Sequence, residues 1–159
     1  TLGPDTVHFV EAGLHLAFLI TYAQGLSLLQ AASAEKGYDL DLAEITKIWR
    51  GGCIIRSAML EDLRKAFTVE PGIANVLAAE NFVNTIRNEQ NILKATVKFA
   101  IAADVPCMAF SSALNYLKAY ASKRLPANLI QAQRDYFGAH TYRRVDIEGT
   151  FHTPDWDSE

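Results

Sequence analysis

The segment Leu125-Pro-Ala-Asn-Leu-Ile-Gln-Ala-Gln-Arg-Asp-Tyr-Phe-Gly-Ala-His-Thr-Tyr142 divides the chain into a helical body and an ending of a different kind. Pro126 suits the first turn of a helix, where its missing N–H would be unpaired anyway. Leu129, Ile130 and Gln133 continue the helical period, and Gly138 can take the left-handed conformation that closes a helix. Arg134 is thereby predicted in the last turn, with His140 just past the stop. Two potentially cationic groups then come within reach of each other, and a phosphate or carboxylate could be held between them. The tail that follows, through Gly149-Thr-Phe-His-Thr-Pro-Asp-Trp156, is rich in aromatics. Val145, Ile147 and Phe151 could alternate along an extended segment, with Glu148-Gly149 as a turn. Tyr142, Phe151 and Trp156 are too large and too numerous for a solvated end with nothing to bind. The tail is therefore expected to dock, on its own chain or on another.

Upstream, the apolar period is helical. Asp5 is the expected N-cap of a long first helix in which Val7, Val10, Leu14, Phe18, Tyr22, Leu26 and Leu29 follow three- and four-residue steps. Leu16, Leu19, Ile20 and Leu28 are apolar too, so this helix should be covered nearly all round, within a helical domain or at an oligomer interface. It should end near Lys36-Gly37, and Ala23 and Gly25 leave room for a close neighbour. His15 reads as a packed or hydrogen-bonded histidine rather than a ligand. Asp41 and Glu44 have capping-box spacing ahead of Leu42, Ile45, Ile48 and Trp49. Gly51-Gly52 reads as a tight corner rather than a phosphate cradle, since no Lys-Ser/Thr follows. Further helices are predicted over 53–67, briefly over 73–79, and from an Asn81 cap with Phe82, Ile86, Leu93, Val97 and Ile101 as the buried stripe. A last one starts at Ser111 or Ser112, with Phe110, Leu114 and Leu117 facing the core; Tyr116 and Tyr120 share one edge as packing. No strand-like alternation runs long before the tail. The fold class is all-α, a compact multi-helix domain over 1–137 with an extended tail over 138–159.

The chain has 159 residues, half of them hydrophobic and 21% charged, which suits one folded domain rather than a disordered chain. A net charge of −3, without a run of Lys or Arg or basic residues interleaved with aromatics, argues against nucleic-acid binding. Cys53 and Cys107 lack CxxC spacing and read as reduced, buried thiols. The most apolar segment, residues 14–20, is too short to cross a bilayer, and no secretory leader pattern is visible, so no membrane role and a cytoplasmic location are expected. Thr1 in place of a starting Met suggests a piece of a longer protein.

The block 125–142 and the block Glu148-Gly-Thr-Phe-His-Thr-Pro-Asp-Trp156 resemble the C-terminal end of decarboxylating 6-phosphogluconate dehydrogenases. Tyr22-Ala-Gln-Gly25 and Glu44-Ile-Thr-Lys-Ile-Trp-Arg-Gly-Gly-Cys-Ile-Ile-Arg-Ser57 extend the resemblance, which runs from about residue 17 to residue 156. Enzymes of this family oxidise 6-phosphogluconate at C3 with NADP and decarboxylate the resulting 3-keto acid to ribulose 5-phosphate, without a metal. The resemblance implies that Arg134 and His140 bind the substrate phosphate held mainly by the other subunit of a homodimer, into which the tail reaches. A dianionic phosphate can accept charge-assisted hydrogen bonds from a guanidinium and an imidazolium. The negative end of the helix dipole disfavours an anion there, so the side chains must supply the attraction.

The family's catalytic lysine and glutamate, and its Lys-Gly-Thr-Gly-Lys-Trp signature, lie upstream of the matched region. No GxGxxG or βαβ pattern is present either. This chain alone is expected to be inactive, with no catalytic residue, no assigned cofactor-binding residue, and no reason to nominate Lys47 or Glu44. The competing reading is a stand-alone, non-catalytic helical module for assembly or phosphosugar binding. A metal site from His140, His152 and Asp155 matches no standard ligand spacing.

Overall fold

A computed structural model of the chain describes residues 4–154 and Trp156. Among the described residues six α-helices follow one another: α1 (Pro4–Lys36), α2 (Leu42–Arg50), α3 (Met59–Val69), α4 (Glu80–Ala102), α5 (Met108–Tyr120) and α6 (Asn128–Gly138). Among the described residues the only β pairing is one antiparallel bridge, Tyr142 with Phe151. The fold is all-α, as the apolar period predicts. The chain forms two compact units, Thr1–Tyr120 and Ala121–Glu159. Helix α6 is thus grouped with the tail, whereas the expected helical body ran to residue 137.

In the first unit α1 is the central element and packs against α4 and α5. Leu16, Leu19, Ile20, Ala23 and Leu26 are fully buried on one face, each leucine or isoleucine contributing about 1.5–3 kcal/mol by leaving water. Val7, Leu14, Phe18 and Leu28 remain exposed, so the expected covering all round is not supplied within this unit. At 33 residues α1 is long and apolar enough to cross a membrane, which residues 14–20 taken alone are not. Its buried face is the core of the unit.

The close approach expected at Gly25 occurs instead at Gly13. A β-carbon at Gly13 would stand 2.6 Å from Thr96 Oγ1 on α4, while Gly25 has nothing within 4 Å and borders a cavity of about 850 Å³. His15 is hydrogen-bonded, Nδ1 to Glu89 Oε2 at 2.9 Å. Helix α1 is described from Pro4 onward, with Asp5 among its helical residues.

Asp41 caps α2 by accepting from the Glu44 N–H at 3.0 Å. The Glu44 carboxylate turns to Lys47 rather than back to the cap, so only half of the capping box forms. Helix α3 begins at Met59, six positions later than predicted from 53. The Ile55 carbonyl, which a helix would offer to the Met59 N–H, accepts the Tyr22 hydroxyl from α1, and residues 53–58 form turns. The expected helix over 73–79 is a single 3₁₀ turn, Val76–Ala78, capped by Asn75, whose amide also donates to the Tyr116 hydroxyl at 2.9 Å. Helix α4 starts one residue before Asn81, on an Ala79 N-cap without a side-chain bond. Phe82, Leu93 and Val97 are buried, but Ile101 near the end of α4 is 65% exposed. Helix α5 begins at Met108, ahead of both serines, and buries Leu117. Tyr116 and Tyr120 stack with ring centres 6.2 Å apart. Both cysteines are free thiols, partly rather than fully buried.

Candidate functional site

Helix α6 buries a single residue, and that residue is an aspartate: Asp135 is 1% exposed. Leu129, Ile130, Tyr136 and Phe137 of the same helix face solvent. A buried carboxylate persists only where hydrogen-bond donors replace water. Here the donors come from the returning tail. Oδ1 accepts from the Thr141 N–H at 3.2 Å and from His152 Nδ1 at 3.0 Å, and Oδ2 accepts from the Thr153 N–H at 2.8 Å. An ionised carboxylate cannot donate, so the proton of the His152 contact is on Nδ1. Burial pushes the Asp135 carboxyl up, but Thr153, His152 and Thr141 outweigh it and hold the group below the ordinary carboxylate range.

The tail is therefore not a free extended strand. Tyr142 and Phe151 exchange backbone hydrogen bonds of 2.9 and 2.8 Å, and their rings stack with centres 6.2 Å apart. The loop between them is braced by Arg144, which forms a bidentate pair with Asp146 at 2.9 and 2.6 Å and lies over the Phe151 ring. That pairing brings the Asp146 carboxyl down to about 2. Trp156 meets Tyr136 edge-on at 6.0 Å. Val145 and Ile147, which an alternating extended segment would place on one face with Phe151, are both exposed.

Three details of α6 and its flanks differ from expectation. Pro126 stands before the helix, which starts at Asn128. Gly138 is the last helical residue, and Ala139 takes the left-handed conformation instead, with φ 47°. Arg134 consequently falls just short of the last turn, which holds no basic residue. The reason for glycine at 138 is space, not φ. A β-carbon there would lie 2.5 Å from His140 Nε2 and 2.6 Å from Cδ2.

Arg134 and His140 are both exposed. Among the described residues the guanidinium reaches only Gln131 Oε1, at 3.5 Å, and the imidazole lies edge-on to Phe137 with ring centres 6.3 Å apart. No hydrogen bond joins the two side chains among the described residues. The remaining guanidinium N–H groups are open to an anion, in the fork geometry that suits phosphate. Two cavities of about 510 and 460 Å³ open in this unit. Gln131, Tyr142 and Arg143 line both, with Arg124 and Arg144 on the first. Neither Arg134 nor His140 lines them, and neither lines the larger cavity of the first unit.

Of the residues considered for a metal, Asp155 lies outside the described residues, and His152 is engaged with Asp135. No group of three or more His, Cys, Asp or Glu among the described residues is arranged to hold a metal ion. Asp135, Thr141, His152 and Thr153 were not legible as a cluster. The Asp135–His152 contact joins positions 17 apart, and no local spacing announces it.

The family described as 6-phosphogluconate dehydrogenase, C-terminal domain, matches residues 4–156. The NADP(+)-dependent, decarboxylating 6-phosphogluconate dehydrogenase of Bacillus subtilis is 46% identical over 149 residues, covering 94% of this chain and 32% of that protein. The decarboxylating enzyme of Escherichia coli is 47% identical over 152 residues, with the same coverage. The solved structure of Plasmodium falciparum 6-phosphogluconate dehydrogenase, described as apo and in complexes with its cofactor NADP+ and its substrate 6-phosphogluconate, superposes with a TM-score of 0.89. It is 39% identical and covers 97% of this chain and 34% of its own. The chain thus spans about a third of the length of these relatives.

Proposed function

Since the chain belongs to the family of 6-phosphogluconate dehydrogenase C-terminal domains, we propose that it serves as the C-terminal portion of an enzyme that oxidises 6-phosphogluconate with NADP and decarboxylates it to ribulose 5-phosphate. Its own contribution is the phosphate grip. The observation that carries this is the placement of Arg134 and His140, both exposed at the end of α6 with most of their donors open. Arg134 offers a planar fork of N–H groups to the phosphate oxygens, and His140 adds a second donor. The helix contributes no attraction, since its C-terminal end repels an anion.

The NADP site lies mostly in the part of the enzyme outside this chain: the described residues hold no strand–turn–helix unit of the dinucleotide-binding kind. Hydride transfer and the acid and base steps belong to the part of the polypeptide that the relatives carry beyond the matched third. Association into a homodimer is part of the proposal. The exposed Leu129, Ile130, Tyr136 and Phe137 of α6 support it, as a face that a second subunit can cover. The tail over 138–159 would then be offered together with α6, and the grip would act in the partner's site. We assign the enzyme to the cytosol, with no metal and no membrane or nucleic-acid partner.

The test is a chimera in which this chain replaces the matching third of the Bacillus subtilis relative. Reduction of NADP with 6-phosphogluconate is the expected result. A folded chimera that binds NADP yet turns over no 6-phosphogluconate would contradict the assignment.

A further inference from the structure

We propose that Asp135 is the positioning residue of the phosphate grip, and that it acts on His140 through the two peptide units flanking it; this rests on the phosphate reading above. His140 sits between two non-glycine residues in the left-handed region, Ala139 at φ 47° and Thr141 at φ 63°. Such residues leave that region unless their surroundings hold them. Both are held by Asp135. Its carbonyl accepts the Ala139 N–H at 2.9 Å, and its carboxylate accepts the Thr141 N–H at 3.2 Å. One residue therefore fixes the backbone on either side of His140, and the imidazole is laid over Gly138 as a result.

The same carboxylate also receives the far end of the loop, through His152 Nδ1 and the Thr153 N–H. The Tyr142–Phe151 bridge closes the circuit between these contacts. Asp135 is next in sequence to Arg134, so the exposed guanidinium and the buried carboxylate leave adjacent positions of one rigid helix. The carboxylate itself is sealed from solvent, and its donors all come from its own chain. Its role is to set where His140 stands relative to Arg134.

Asp135→Asn keeps the size of the side chain but replaces one acceptor oxygen with a donor, which opposes an N–H that was previously accepted. In the chimera, this variant is expected to raise KM for 6-phosphogluconate about tenfold while kcat stays within about twofold. Adding His140→Ala should then cost nothing more, because the imidazole is already displaced, whereas adding Arg134→Ala should multiply the effect. A residue that merely stabilised the fold would not produce this split. Amide exchange in the 159-residue chain gives a reading independent of substrate. Protection at Thr141 and Thr153 is expected to fall in Asp135→Asn.

An unchanged KM in Asp135→Asn, with KM raised in Arg134→Ala, overturns the positioning role and leaves the phosphate reading in place. An unchanged KM in Arg134→Ala as well overturns the phosphate reading, and the positioning role with it. Should Asp135→Asn fail to fold, His152→Ala decides. It removes one of the donors from a partly exposed position and is expected to raise KM about threefold; no change contradicts the inference.

Discussion

The imidazole of His140 occupies the place a β-carbon on Gly138 would take, with Nε2 only 2.5 Å from that position. Gly138 is helical, so alanine would relieve a helix of its weakest former and stabilise it by about 0.5–1 kcal/mol. The same methyl group must push the ring aside. Gly138→Ala is therefore expected to raise Tm slightly and KM for 6-phosphogluconate severalfold in the chimera. Stability and binding moving together, in either direction, would contradict this geometry.

Acid should release the tail from α6. The Asp135 carboxyl is held below its unfolded value, which is about 3.9. A depressed carboxylate contributes stability that is present above the unfolded pKa and lost as pH falls through the folded one. Exchange protection of the Thr153 amide should accordingly persist down to about pH 4 and decline below it. In Asp135→Asn the acid step should be missing. Protection that persists undiminished at strongly acidic pH would show that the carboxylate does not hold the tail.

Helices α1 and α4 meet where Gly13 faces Thr96, and a β-carbon at 13 would lie 2.6 Å from Oγ1 and 3.2 Å from Cβ. Thr96 is 5% exposed and cannot swing away. Gly13→Ala is expected to destabilise the first unit by about 1–3 kcal/mol despite the better helix propensity of alanine. Thermal unfolding checks this, and Thr96→Ala in the same chain should restore part of the loss. A rise in Tm for Gly13→Ala alone would mean the helices are not in close contact there.

Leu129 is 80% exposed on α6, so within one chain its replacement should be nearly neutral, within about 0.5 kcal/mol. If α6 offers its apolar face to a second subunit, Leu129→Asp buries a charge in that interface and should shift a dimeric chimera toward monomer by more than tenfold in Kd. Sedimentation of the two proteins distinguishes the cases. An unchanged dimer would remove this face from the interface.

Helical class, the extent of α1 to Lys36, the Asp41 cap and the Tyr116–Tyr120 stack could be read from sequence because each depends on neighbours three or four residues apart. What could not be read depends on distant partners. The start of α3 falls after the Ile55 carbonyl, which Tyr22 reaches from another helix. Glycines were legible as special but not for the right reason: Gly13 rather than Gly25 makes the close approach, and Gly138 makes room for a ring while Ala139 takes the turn. At the candidate site, Arg134 and His140 were found through the family resemblance. The buried Asp135 was missed because an aspartate between Arg134 and Tyr136 on a helix looks like solvated surface until the tail has folded back over it.

The most direct measurement compares 6-phosphogluconate with gluconate as substrates of the chimera, with and without Arg134→Ala. A lost charge-assisted contact is worth about 1.5–3 kcal/mol, or about 10- to 100-fold in kcat/KM. If Arg134 grips the phosphate, the variant loses that factor with 6-phosphogluconate and nothing with gluconate. An equal loss on both substrates, or none on either, would contradict the assignment.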